Sequence, residues 1–356
     1  MKVLGTFREY FGISACPIHI LKKNGGEVMG QKNEVLRVIA REPRKYLEKL
    51  DIDFKLLQEI RIRAEAPLML VYQGQEYCVA KNGTLCHGID NPLMISRQDV
   101  KETMERISNY SMYAFEEELK QGFITIQGGH RVGVAGKIVL EKEQVKNLRY
   151  ISFINIRLAH QVLGCGDKVL PYLVDGDSIY HTLIISPPRC GKTTLLRDLI
   201  RQLSNGGKGR RGINVGVVDE RSELGACYQG KPQNDLGYRT DILDCCPKKE
   251  GMMMLVRSMS PKVIAVDEIG FREDVEALEY VMNCGVKILA TVHGCSMEEI
   301  RKKPILGALV RERVFQRYVL LSSQEIGRVE AIFDERGTYL AYPSVMEERG
   351  ISCRSC

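Results

Sequence analysis

Ser186-Pro187-Pro188-Arg189-Cys190-Gly191-Lys192-Thr193 decides how this chain folds. Its spacing is that of a P-loop, G-x-x-x-x-G-K-[ST], with a serine in place of the first glycine. Such a loop joins a strand to a helix and turns its backbone N–H groups toward phosphate oxygens, with the positive end of the helix dipole behind them. The flanks agree. Leu183-Ile184-Ile185 reads as a buried strand, and Thr194-Leu195-Leu196-Arg197-Asp198-Leu199-Ile200 continues the segment as a helix. Residues Ser186 to Thr194 are therefore expected to cradle ATP, with Lys192 as a point charge on the β- and γ-phosphates and the Thr193 hydroxyl on Mg²⁺. A serine at the first glycine position costs ~1 kcal/mol if its φ is positive.

Outward from this loop, Val215 to Asp219 reads as a second strand and Val263-Ile264-Ala265-Val266-Asp267 as a third. A helix over Val275 to Cys284 follows, then a fourth strand over Val286 to Val292. Short apolar strands alternating with helices predict an α/β fold with a mainly parallel sheet covered on both faces. The third strand ends in Asp267-Glu268, as in a Walker B segment. Two carboxylates at the end of an apolar strand are costly unless solvated or bound to a cation. Asp267 is expected to hold Mg²⁺ through water, and Glu268 to orient and deprotonate the attacking water. Two other strand ends face the same crevice. His293 there could sense the γ-phosphate, and Glu220 and Glu223 either hold water or Mg²⁺ or begin a solvated loop.

The preceding half reads as a smaller α+β domain. Val35, Leu36, Val38, Ile39, Tyr46, Leu47 and Leu50 recur at helical spacing, and Asp99 to Tyr110 reads as a helix. Strand-like runs lie at Glu59 to Arg63 and Leu68 to Tyr72, with a hairpin turn at Gln73-Gly74-Gln75, and around Gly128-Gly129. The expected division is 1–28 as an uncertain extension and 29–150 as the N-terminal domain. Residues 151–180 would be a linker and lead-in helix, 181–345 the ATPase domain and 346–356 a tail. Residues 1–28 show no clear element, and Met29 is a candidate start.

Composition excludes several classes. Lys plus Arg number 51 and Asp plus Glu 45, a net charge of +6, with one basic cluster at Lys208-Gly209-Arg210-Arg211. No basic strip interleaved with aromatics marks a nucleic-acid binder, and the cluster reads as a solvated loop. No apolar run approaches the ~18 residues of a membrane span, and the first twenty residues lack a secretory h-region. The 12 cysteines are scattered, which suits a reduced, cytoplasmic protein. Cys353 and Cys356 have C-x-x-C spacing without a second ligand pair.

Longer strings carry a resemblance. Gly230-Lys231-Pro232-Gln233-Asn234-Asp235, Arg239-Thr240-Asp241-Ile242-Leu243-Asp244, Gly251-Met252-Met253-Met254 and Arg257-Ser258-Met259-Ser260-Pro261 resemble the stage III sporulation protein AA family, relatives of the type II/type IV secretion ATPases. Glu59 to Arg63 and Gly128-Gly129-His130-Arg131-Val132-Gly133 fit as well. The resemblance implies a RecA-like P-loop ATPase domain behind a smaller N-terminal domain, with Asp219 to Glu223 as the "Asp box" and His293 as the "His box". It implies a homo-oligomeric ring, usually a hexamer, placed on the mother-cell side. There it would energise a membrane-embedded, secretion-like channel to the forespore. Ser186 and residues 1–28 depart from the pattern.

Ring ATPases commonly meet the charge of the cleaved phosphate with a neighbour's arginine. Candidates are Arg131, Arg157, Arg221, Arg239 and Arg257, with Arg239 and Arg257 favoured as nucleotide-binding by the family strings around them. Each could instead be a surface ion pair worth ~0–1 kcal/mol. Two other readings compete: a RecA-like motor driven by nucleic acid, and a catalytically dead ring component. The complete set Lys192, Thr193, Asp267 and Glu268 speaks against the latter.

Overall fold

The computed structural model describes residues 26–88, 91–111, 115, 118–119, 122–141, 144–207 and 209–341. Residues 1–25 of the expected extension, Lys208 of the basic cluster, and the tail 346–356 with Cys353 and Cys356 lie outside the described residues. The first helix, Gly26–Val38, begins inside the segment in which the sequence suggested no element.

In the first half, short strands pair into an antiparallel sheet. β1 (Leu57–Arg63) is followed by β2 (Ala66–Pro67), β3 (Met69–Tyr72), β4 (Gln75–Val79), β5 (Leu85–Cys86) and β6 (Met94–Ile95). After the helix Arg97–Ile107 come β7 (Phe123–Thr125), β8 (Arg131–Glu141) and β9 (Gln144–Arg157). Seven of these form a sheet in the order β5-β4-β3-β1-β9-β8-β7, while β2 and β6 pair separately. Period-two alternation sets the core face: Ile60 and Ile62 of β1 are buried, while Arg61 and Arg63, which alternate with them, are half-buried on the other face. Those isoleucines meet Val35, Leu36 and Leu47 from the first two helices and Met104 from Arg97–Ile107. The β3–β4 turn is Gln73-Gly74, both with positive φ, as a two-residue hairpin requires.

β9 runs unbroken from Gln144 to Arg157, across the expected boundary at residue 150. Ile154 and Ile156 pair with Val134 and Val132 of β8 and with Ile62 and Ile60 of β1, so they belong to the first sheet and not to a linker. A bulge between Ala135 and Lys137, opposite Tyr150 at φ 50°, interrupts the alternation that would have shown one long strand. The lead-in helix is one turn, Leu170–Leu173, followed by a small hairpin of β10 (Val174–Asp175) and β11 (Ser178–Ile179).

The second half is a sheet of eight strands. These are β12 (Thr182–Ser186), β13 (Val215–Asp219), β14 (Thr240–Asp244), β15 (Val263–Val266), β16 (Lys287–His293), β17 (Arg317–Leu321), β18 (Val329–Asp334) and β19 (Tyr339–Ala341). Their order is β14-β13-β15-β16-β12-β17-β18-β19. Pairing is parallel from β14 to β17 and antiparallel across β18 and β19. Both faces are covered, which explains the continuous apolar strands. Leu183 and Ile185 pack with Leu278 and Ile300 on one side, and Ile184 packs with Leu196 and Leu199 on the other. Parallel register brings Ser186, Asp219, Val266 and His293 to one edge, the carboxyl edge of the sheet.

Candidate nucleotide-binding site

The P-loop leaves β12 at that edge. Ser186 is its last residue, fully buried and in register with His293. Its backbone is extended, so the strain expected for a positive φ does not arise; its Oγ donates to the Pro187 carbonyl at 2.8 Å. The left-handed positions are Arg189 (φ 63°) and Gly191 (φ 92°), the latter capping the helix Lys192–Asn205. Pro187 and Pro188 have no N–H, so inward donors can start only at Arg189 and continue through Cys190 and Gly191 to Thr194 in the first helical turn. The loop is braced from behind, where Gly327 N donates to the Cys190 carbonyl at 3.0 Å. A Cβ at Gly191 would stand 3.1 Å from Gly327 Cα.

Lys192, only 7% exposed, is ion-paired with Asp267 and donates to Thr291 Oγ1 at 2.9 Å. Thr193 Oγ1 donates to the other Asp267 oxygen at 2.7 Å. Thr291 also donates to Asp267 and accepts from Glu268 N at 2.8 Å, which uses both lone pairs and the proton of one hydroxyl. Burial alone would raise the Asp267 carboxyl. The Lys192 charge and the hydrogen bonds from Lys192, Thr291 and Thr193 outweigh it and hold the group below the ordinary carboxylate range.

Glu268 stands just past this cluster with φ 58°, a left-handed backbone unusual for a glutamate. Its two oxygens are held from opposite sides, by His293 Nε2 at 3.3 Å and Arg221 Nη1 at 3.1 Å. The His293 carbonyl accepts from Lys303 Nζ at 2.5 Å, fixing the end of β16.

The acidic run after β13 divides its work. Asp219 accepts from the N–H groups of Glu223, Leu224 and Gly225 at 2.8–2.9 Å and so shapes the loop. Burial pushes its carboxyl up to about 6 despite those bonds. Glu220 is ion-paired with the buried Lys248, and no ion pair or hydrogen bond among the described residues links its side chain to Lys192, Asp267 or Glu268. Its carboxylate is thus engaged by a lysine of the helix Lys248–Ser258. Glu223 faces Arg131 at 3.3 Å, and Arg131 Nη2 donates to the Arg221 carbonyl at 3.1 Å. Gly128 N donates to Gln233 Oε1 at 3.0 Å beside it, so the Gly128-Gly129 turn seats the first sheet on the loop of the second.

Arg239 and Arg257 lie away from the P-loop of their own chain. Arg239 precedes β14 and bonds Val215, the first residue of β13, which is the sheet edge opposite the P-loop. Its guanidinium donates to the Ser204 carbonyl at 3.1 Å and lies over the Tyr238 ring. Arg257 is exposed near the end of the helix Lys248–Ser258, which leads back to that far edge before β15. Neither joins the chain's own P-loop. Arg157 pairs with Glu59 on the outer face of the first sheet.

Two residues at the site carry no sequence signal of their own. Thr291 is an ordinary strand residue until the parallel register sets it beside Asp267. Arg197 is hidden in an amphipathic helix, yet it donates to the carbonyls of Glu223 and Leu224 at 2.7 and 3.1 Å and ties the P-loop helix to the Asp219 loop.

The donor set suits Mg²⁺ with a nucleotide. Thr193 Oγ1 and an Asp267 oxygen are adjacent, and one carboxylate with a hydroxyl is what this hard cation takes when phosphates and water complete its shell. No group of three or more His, Cys, Asp or Glu among the described residues could hold a metal by itself.

Comparison with known proteins gives a consistent picture. The family model for sporulation stage III protein AA matches residues 29–340. Stage III sporulation protein AA of Bacillus subtilis (strain 168) is 43% identical over 311 residues, covering 87% of this chain and 97% of that protein. Among solved structures, the ATPase DotB of Legionella pneumophila superposes with a TM-score of 0.52 at 14% identity, over 83% of this chain and 80% of its own. The pilus retraction motor PilT with bound ADP gives 0.51 at 14% identity, over 81% and 77%. At such identity these two likenesses speak for the fold alone. The fold is shared with these two proteins, and the chain belongs to the stage III sporulation protein AA family.

Proposed function

We propose that this chain is a Mg²⁺-dependent ATPase motor that works as a homo-oligomeric ring, a hexamer by analogy. It would energise a secretion-like channel between mother cell and forespore. The observation that carries the reading is the convergence of Lys192, Thr193, Asp267 and Thr291 into one buried network, with Glu268 and His293 at its margin. In the reaction, backbone N–H groups from Arg189 to Thr194 and the Lys192 ammonium bind the phosphates. Thr193 and Asp267 would hold Mg²⁺, which supplies charge neutralisation on the phosphates when bound. Lys192 exchanges its Asp267 partner for phosphate oxygens. Glu268 orients the attacking water and accepts its proton at a carboxylate oxygen, and His293 steadies that carboxylate.

The antiparallel sheet ending at Arg157 and the mainly parallel sheet starting at Thr182 would be the two halves of the motor, joined through Arg131 and Gln233. No helix among the described residues is long and apolar enough to cross a membrane. The channel would therefore be met by peripheral contact on the mother-cell side. Affinity capture of the Glu268→Gln protein from sporulating cells tests this role. Co-isolation of a membrane complex with the ATP-bound variant is expected. Capture of nucleic acid without membrane protein would replace the channel reading with that of a nucleic-acid motor.

A further inference from the structure

At the sheet edge opposite the P-loop, four arginines surround one cleft of about 380 Å³. Arg301 comes from the helix Met297–Lys302, Arg311 from the end of the helix Pro304–Arg311, Arg313 from the turn after it, and Arg336 from the turn between β18 and β19. The position follows from register. Asp334 pairs with Arg317, and Arg317 is level with Thr182, the first residue of β12. The P-loop leaves the other end of that strand, roughly 13 Å away at ~3.3 Å per residue.

Arginines in the last turn of a helix favour its dipole, which accounts for Arg301 and Arg311 singly. It does not account for Arg313 and Arg336 joining them from two turns. None of the four forms an ion pair with a carboxylate of the described residues. The one carboxylate lining the cleft, Glu335, stands 3.9 Å from Arg317, outside the group. Asp334, next to Arg336, spends its Oδ1 on the N–H groups of Arg336 and Thr338. Gly337, at φ 84°, lies close against one of the four arginines: a Cβ there would stand 2.6 Å from Arg301 Nη2. Arg313 holds a left-handed φ of 54°, a conformation a long side chain adopts only at a cost. Finally, the hydroxyl of Tyr318, a fully buried residue within electrostatic reach of Arg301 and Glu335, has no hydrogen-bond partner.

Four guanidinium forks that form no ion pair, with Glu335 as the one carboxylate in the lining, make a concave, cationic site. Guanidinium forks match phosphate oxygens two at a time, and forks that form no ion pair leave that capacity available. We propose that the cleft formed by Arg301, Arg311, Arg313 and Arg336 binds a phosphate group, carried by an anionic lipid headgroup or by a small soluble phosphate compound, independently of the nucleotide site.

The test uses the full chain and the exposed double variant Arg301→Ser/Arg311→Ser. Unchanged ATP binding at the P-loop reports that this variant is folded. In the lipid arm, flotation with phosphatidylglycerol vesicles is compared with phosphatidylcholine vesicles. In the soluble arm, pyrophosphate is titrated into Lys192→Ala protein, with and without the two arginine substitutions, and read by thermal shift. Wild-type binding to phosphatidylglycerol that falls at least tenfold in the double variant supports the site with lipid as its source. A pyrophosphate shift lost with the arginines supports it with a soluble source. The variant Lys45→Ser/Lys101→Ser removes the same charge from the other half and should bind as wild type. No binding in either arm, equal binding by the arginine variant, or an equal loss in the lysine control overturns the proposal.

Discussion

Arg221 Nη1 lies 3.1 Å from Glu268 Oε2, so the glutamate at the end of the Walker B segment is held by the loop that Asp219 organises. The same arginine offers its carbonyl to Arg131 of the first sheet. Two contacts thus connect the two halves of the chain to the carboxylate proposed to activate water. A base that is already positioned needs little reorganisation to act.

If Glu268 is that base, Glu268→Gln keeps the shape and loses the proton acceptor. ATP affinity should stay within about threefold of wild type while turnover drops by at least ~10²-fold, the usual worth of a general base. Lys192→Ala should lose both, because the phosphate charges are left uncompensated and Asp267 is left buried without its cation. Nucleotide titration and steady-state ATPase assays separate the two. Equal loss of affinity in both variants would remove Glu268 from this role.

The P-loop itself makes a paired prediction. Ser186 is extended strand backbone, so Ser186→Gly relieves no strain and should leave nucleotide affinity within about threefold. Gly191→Ala is the damaging change. It forces an alanine into φ 92° and brings a Cβ to 3.1 Å from Gly327 Cα. Affinity should fall about tenfold or more, or about 1.4 kcal/mol. A fluorescent-nucleotide titration of both variants checks this, and the reverse ranking would contradict the loop geometry.

Local chemistry was legible in the sequence because it is contiguous. The P-loop, Asp267-Glu268 and His293 each announce themselves within a few residues, and the structure gathers them at one sheet edge. What the sequence does not show are properties that only register supplies. The edge strand Thr240–Asp244 has only two apolar residues, Ile242 and Leu243, so it did not read like the buried strands beside it. Arg239 and Arg257 lie in strings specific to the family, but such a string does not say which end of a strand a residue occupies. Glu220 looked catalytic by its place after a strand, and the buried Lys248 that claims it comes from a helix 28 positions on. Thr291 gave no signal because a threonine in a strand is ordinary until its neighbour is an aspartate.

His130 predicts a pH dependence of stability. The ring is 1% exposed, and its Nδ1 accepts from Ala159 N at 3.0 Å. Burial, reinforced by the charge of nearby His160, lowers its pKa from 6.5 to about 4. The folded state keeps the ring neutral while the unfolded chain takes up a proton below pH 6.5. This stability is therefore fully present above pH 6.5 and is lost as pH falls toward about 4. At ~1.36 kcal/mol per pH unit the loss is about 3 kcal/mol. His130→Asn retains an acceptor for Ala159 N but does not titrate. Urea unfolding between pH 7 and pH 4 should show a shallower acid loss for this variant, and identical slopes would place the acid sensitivity elsewhere.

The last prediction concerns which subunit an arginine serves. Arg131 lies 3.6 Å over the Phe123 ring, 3.3 Å from Glu223 and 3.1 Å from the Arg221 carbonyl, all within one chain. A guanidinium so engaged acts on the loop of its own chain, and through Arg221 on its own Glu268. Arg131→Ala should therefore lower turnover, and mixing it with Lys192→Ala should restore nothing. Every subunit in such a ring lacks either its P-loop lysine or the contact that holds its Asp219 loop. Partial recovery in verified mixed rings would mean instead that Arg131 reaches a neighbour's nucleotide. Arg239→Ala gives the contrast. Its guanidinium is bonded to the Ser204 carbonyl at the far edge, so its loss should cost about 1.5–3 kcal/mol of stability, the range for a hydrogen bond to a charged group. Turnover per folded subunit should remain near wild type. An Arg239→Ala protein with full stability and no turnover would return that residue to catalysis in a neighbouring subunit.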